Sequence, residues 1–306
     1  MGRWGRLMSM KQILVMMAVV VVGCTKDTPE TSQAAEAETQ VAPEPSSEPN
    51  PVPPVDEKLI VEWAVRQKLN KPEGELIEAD WENLSYLDFR NTQITDAGLK
   101  DVAKLKKLTS FSLDNTQITD AGLKEVAKLQ NLEMLVLDDT DITDAGLKDV
   151  AKLKKLEMLS LDDTDITDAG LKDAAKLKKL EWLGLKDTDI TDVGVVEVAK
   201  LQRLERLFLD RTKITDAGLK EVVKLQKLQM LYLVGTKITD TCLKDVAKLK
   251  NLTELNLNDT KITDACLKDV AKLQKLEQLW LGRTKITKAG VAELNKALPN
   301  CFIFGP

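Results

Sequence analysis

Residues 132–155 read LEMLVLDDTDITDAGLKDVAKLKK, and this stretch holds two hydrophobic periods in succession. The first part, Leu132/Leu135/Leu137, ends in the alternation of a short strand that turns every second side chain to one face. In the second part Leu147, Val150 and Leu153 are spaced by three, which puts them on one helix face with Lys148, Lys152 and Lys154 towards solvent. Either Thr143 or Asp144 can cap that helix. Working outward, the same pattern returns in both directions. Ile-Thr-Asp recurs with Ile at 94, 118, 142, 166, 190, 214, 238 and 262, always 24 residues apart, and Ile286-Thr287 continues the series. Strand triplets run from Leu84/Leu87/Phe89 to Leu276/Leu279/Leu281. A strand and helix this short cannot bury their own apolar sides, so the units must stack on one another. About ten strands at 4.7–4.9 Å predict roughly 45–50 Å of sheet.

Composition narrows the chemistry. The 306 residues include no histidine, which removes Ser-His-Asp and Cys-His catalysis, histidine metal ligands and an imidazole pH switch. A net charge of −5 offers no bulk positive charge for a nucleic-acid backbone. No cofactor and no nucleic-acid partner are expected.

The repeated L-x-x-L-x-L and Thr-x-Ile-Thr-Asp-Ala-Gly-Leu segments resemble leucine-rich repeat proteins. The resemblance implies an α/β right-handed solenoid, a horseshoe or arc, with a parallel sheet on the concave face and helices on the convex face. That family normally carries Asn or Cys after the strand; here Thr stands at 92, 116, 140, 164, 188, 212, 236, 260 and 284. The Asp-Ala-Gly-Leu helices make the chain most similar to the ribonuclease-inhibitor-like and cysteine-containing subclasses. A buried Thr hydroxyl ladder is expected to satisfy the backbone at each turn, a structural role.

The ends depart from the repeat. Arg3, Arg6 and Lys11, the apolar run Ile13–Val22 and Gly23-Cys24 have the order of an export signal, too short for a confident membrane span. Val21-Val22-Gly23-Cys24 resembles a bacterial lipobox, which implies cleavage of residues 1–23 and lipidation of Cys24, a membrane anchor. Thr25, where inner-membrane-retained lipoproteins carry Asp, leans the expectation towards a periplasm-facing or outer-membrane site in the bacterial envelope. Residues 24–56 hold seven of the ten prolines and seven acids against one lysine, and are expected to form a disordered stalk. Residues 57–83 resemble the helical cap of internalin-like proteins, with Trp63 and Trp81 packed. Residues 84–306 form the repeat domain, closed by a strand near Phe302 after one extra residue, with Cys301 taking a core leucine position.

Within each triplet the leucines point inward, leaving two outward columns. One reads Tyr86, Ser110, Met134, Met158, Trp182, Arg206, Met230, Glu254, Gln278; the other Asp88, Ser112, Val136, Ser160, Gly184, Phe208, Tyr232, Asn256, Trp280. Met134, Met158, Trp182, Arg206, Phe208, Met230, Tyr232 and Trp280 are the candidate protein-binding residues, because aromatic, Met and Arg side chains are enriched at interfaces. Lateral packing of these groups on a broad sheet is the competing reading. Beside them Asp138, Asp139, Asp162, Asp163, Asp187 and Asp210 make an acidic rim that would favour a basic partner patch. Later coils turn basic through Lys213, Lys237, Lys261 and Lys285. Carboxylates suit calcium and glycoside hydrolysis alike, yet no motif fixes a metal geometry and nothing singles out a catalytic pair. Cys242 and Cys266 share a column in adjacent coils and are expected to be free thiols. The expected function is non-enzymatic binding of an unidentified protein or peptide on the concave face. The alternative is a structural or adhesive envelope role that contacts glycan or another cell. Oligomeric state is left open.

Overall fold

Each coil combines a three-residue strand, too short to be stable alone, with a helical segment of one to three turns, and stacking supplies what neither has. The computed structural model describes residues 56–305. The export signal, Cys24 and nearly all of the stalk lie outside the described residues. The chain divides into two units, Met1–Asn50 and Pro51–Pro306, and the described residues belong to the second.

Ten strands form one open parallel sheet in chain order: β1 Tyr86–Asp88, β2 Ser110–Ser112, β3 Met134–Val136, β4 Met158–Ser160, β5 Trp182–Gly184, β6 Arg206–Phe208, β7 Met230–Tyr232, β8 Glu254–Asn256, β9 Gln278–Trp280 and β10 Phe302–Phe304. Every pair joins residues 24 apart, as in Met158 opposite Trp182 and Gln278 opposite Phe302. The helices begin with the cap, α1 Glu57–Leu69 and α2 Glu78–Glu82. Those of the coils are α3 Leu99–Val102, α4 Asp120–Val126, α5 Asp144–Val150, α6 Asp168–Ala174, α7 Asp192–Val198, α8 Asp216–Val222, α9 Asp240–Val246, α10 Leu267–Val270 and α11 Lys288–Ala297. No helix among the described residues is long and apolar enough to cross a membrane. The core is one column of leucine, isoleucine and valine between sheet and helices, and the central strand leucines from Leu87 to Leu279 are fully buried.

The Ile-Thr-Asp motif locks coil to coil. The Thr143 hydroxyl accepts from the Ala145 amide at 3.2 Å, so threonine caps its own helix. The aspartate serves the next coil: Asp120 takes the Thr143 amide on Oδ1 at 2.9 Å and the Thr143 hydroxyl on Oδ2 at 2.6 Å. The same pair of bonds recurs up to Asp264 and Thr287. There the Thr287 hydroxyl, followed by its amide, holds the Asp264 carboxyl below its ordinary range. Glycine in Asp-Ala-Gly follows from this lock, since a Cβ at Gly146 would lie 2.4 Å from Asp120 Oδ1. At the start of the array Glu57 of α1 accepts from the Thr95 hydroxyl in the aspartate's place. Lys288 stands where the preceding coils carry aspartate. The post-strand threonines form the expected ladder, each hydroxyl donating to the carbonyl three residues earlier, as Thr164 does to Leu161 at 2.6 Å.

Asp56, assigned by composition to the stalk, instead caps α1 by accepting from the Lys58 and Leu59 amides. Trp63 and Trp81 pack against the core, half-buried. The extra residue before β10 is present but local. Leu298 and Cys301 stand 25 residues after Leu273 and Leu276, and the approach to β10 is one residue shorter, so the strand returns to the common register. Cys301 is buried, as expected.

Candidate interaction surface

Strand alternation sends the first and third residue of each triplet to the outer sheet face, as the sequence implies, but it does not leave them all open. Met134, Met158, Trp182 and Arg206 are only 7, 1, 8 and 8 % exposed. Val136 and Ser160 are buried beside them. The expectation that these columns face solvent is therefore corrected for β3–β5 and for Arg206: at a 24-residue register, large side chains on strands less than 5 Å apart cover one another. Phe208, Met230, Tyr232 and Trp280 remain partly exposed. They belong to an aromatic file that crosses the sheet. Trp182 lies 4.9 Å from Phe208, Phe208 4.9 Å from Tyr232, Tyr232 5.7 Å from Trp280, and Trp280 stacks on Phe304 at 5.4 Å. The shared 24-residue register places Phe302 and Phe304 in the two columns as well.

The acidic rim separates into three structural positions. In the first, Asp138, Asp162 and Asp210 follow β3, β4 and β6 and each accepts an amide of the next coil: Asp162 N at 2.9 Å, Lys186 N at 2.8 Å and Val234 N at 2.7 Å. Burial raises all three carboxyls. Asp138 is raised further by the charge of Asp162, and Asp210 is pushed up to about 6. At neutral pH this column carries less charge than its formula implies. In the second position Asp139, Asp163, Asp187 and Asp259 have φ of 52–58°, the left-handed turn after the strand that Asp and Asn adopt more readily than other side chains. Arg211 and Arg283 hold the same conformation, and Gly235 supplies it without a side chain. The third position contains Asp189, paired with Lys213 at 2.7 Å. Among the described residues no three carboxylate or thiol side chains converge to hold a metal ion.

Cys242, Cys266 and Cys301 are free. Burial raises all three thiols, Cys266 to about 12 and Cys301 to about 11, so each stays protonated and unreactive at neutral pH.

Residues 141–300 match the family described as a leucine-rich repeat region, and residues 82–103 and 104–127 match the leucine-rich repeat itself. No curated protein matches the chain. Similar solved structures include an internalin of Listeria monocytogenes, 19 % identical over 79 % of this chain and 86 % of that one, with a TM-score of 0.48. Internalin C2 of the same organism is 25 % identical over 80 % of this chain and 92 % of its own, also at 0.48. A leucine-rich repeat protein of Leptospira interrogans is 20 % identical over 67 % and 74 %, at 0.37.

Proposed function

The chain belongs to the leucine-rich repeat family, and from that premise we propose that it is a non-enzymatic module whose outer sheet face binds a protein or peptide. The observation that carries this reading is the partly exposed group Phe208, Met230, Tyr232 and Trp280 on β6, β7 and β9, which no element among the described residues covers. Large apolar side chains grouped with polar neighbours are what an interface centre contains. Lipidation at Cys24 and a stalk at residues 24–55 would hold this face away from a bacterial membrane, in the cell envelope. Crosslinked capture from intact cells tests the binding. A Phe208→Ser, Tyr232→Ser variant should lose a partner that the wild-type chain retains, with circular dichroism unchanged, and identical capture would exclude this face. Cys24→Ser should move the protein from the membrane to the soluble fraction; membrane association that persists would refute the anchor.

One observation favours a second reading, adhesion to glycan. The aromatic file offers ring surfaces at 4.9–5.7 Å intervals, bordered by the polar Asn256 and Gln278. Retention of the purified chain on washed cell-wall polymer, lost in Trp280→Ala, would support it over a protein partner.

A further inference from the structure

Arg206 is the exception among the arginines of its region. Arg203 pairs with Glu181, and Arg211 with Asp187 at 3.1 Å. Arg206, more than nine-tenths buried at the head of β6, forms no ion pair and donates no side-chain hydrogen bond among the described residues, and its Nε is shut off from solvent without an acceptor. Directly opposite on β5, Trp182 is equally buried, and its Nε1 is likewise an enclosed donor without an acceptor. On the other side stands Met230. Glu254, two strands away, feels the Arg206 charge, but it accepts its hydrogen bond from the Tyr232 hydroxyl at 3.0 Å. A guanidinium and an indole therefore stand opposite one another on adjacent strands of this face, each with one enclosed nitrogen that lacks an acceptor, beside apolar neighbours that strengthen any charge-assisted bond formed there.

Building on the sheet-face reading, we propose that the Arg206 guanidinium, with Trp182 beside it, receives the carboxylate of an acidic side chain from a peptide partner, while Met230, Phe208 and Tyr232 pack the apolar residues that flank it. A carboxylate presents two acceptor oxygens and the opposite charge, which the guanidinium fork matches. A neutral amide of the same shape supplies one acceptor and no charge.

The test uses two peptides, Ac-Phe-Glu-Phe-NH2 and Ac-Phe-Gln-Phe-NH2, titrated into the full-length chain in detergent while the Trp182 indole N–H resonance is followed, identified by its loss in Trp182→Phe. The glutamate peptide should shift that resonance saturably and bind about tenfold or more tightly than the glutamine peptide. Arg206→Gln, checked for folding by circular dichroism, should abolish the difference. Equal binding of the two peptides to the wild-type chain, a preference that survives Arg206→Gln, or no response to about 10 mM peptide would each overturn the assignment. The wider reading fails separately. If both peptides bind equally and Phe208→Ser weakens both, the face still binds peptide and only the carboxylate receptor is lost. If neither binds and partner capture is untouched by the Phe208, Tyr232 variant, both readings fall.

Discussion

Two parts of one sheet, β3–β5 and β6–β9, share strand length, register and buried central leucine, yet present opposite surfaces. On β3–β5 methionine, valine, serine and tryptophan seal the outer face, and the carboxylates of Asp138 and Asp162 sit beside it in raised-pKa positions. On β6–β9 every outer residue except Arg206 stays partly exposed, and although Asp210 keeps the acid after β6, Asn258 takes its place after β8. The contrast shows that the solenoid separates stability from surface. The repeating leucines, threonines and aspartates build a coil, and two outward residues per strand set what that coil displays.

The largest effect should be one that both regions share. Leu159→Ala and Leu231→Ala each remove a fully buried strand leucine and should each cost about 2–5 kcal/mol, read as lowered urea midpoints. A large cost in one region with little in the other would show that the two do not rest on one continuous core.

A smaller effect separates them by pH. Because the Asp138 carboxyl is raised in the folded state, ionisation opposes folding, and its destabilising effect grows as pH rises from about 4 through the folded-state pKa. Asp138→Asn should therefore stabilise the chain by about 1–2 kcal/mol at pH 8 and by little near pH 4. The reverse change, Asn258→Asp, should destabilise β8 more at pH 8 than at pH 4. Asn258 already shows that the amide can do the structural work, since its Oδ1 accepts from the Gly282 amide at 2.6 Å. Equal effects at both pH values would remove the electrostatic part of the contrast.

The smallest expected change concerns the turn after the strand. Arg283 holds φ 56° without an Asx side chain to favour it, so Arg283→Gly should stabilise the chain by about 1 kcal/mol. Asp139→Gly, at φ 52°, should gain less, and thermal melts of the two variants would order them.

The fold was legible because its signal repeats: one strand-helix pattern at a constant spacing predicts parallel strands in chain order, a threonine ladder and atypical ends. The division of labour within Ile-Thr-Asp was not legible. Thr143 and Asp144 are both good caps by residue type, and only the neighbouring coil shows that threonine caps while aspartate reaches across. Exposure on the sheet face was misjudged for Met158 because alternation gives the direction of a side chain and says nothing of how far its neighbours spread over it. The isolation of Arg206 is invisible in sequence for a similar reason. Glu205 and Asp210 look like ready partners in one dimension, but neither pairs with it.

The threonine-aspartate lock also bears on how such a chain changes length. Each lock spans 23 residues and each strand pair 24, so a whole coil can be copied or removed while every remaining donor still meets an acceptor. Residues 140–159 and 164–183 are nearly the same text, differing only at Val150/Ala174 and Met158/Trp182, which is the kind of near-identity on which recombination slips. Copy number is thus free to drift in steps of one coil, and each step widens the outer face by a single strand. An insertion of any other length would strand a carboxylate against the wrong backbone. Lys288 breaks the series: a coil placed directly after it would meet an ammonium group where the lock needs an acceptor.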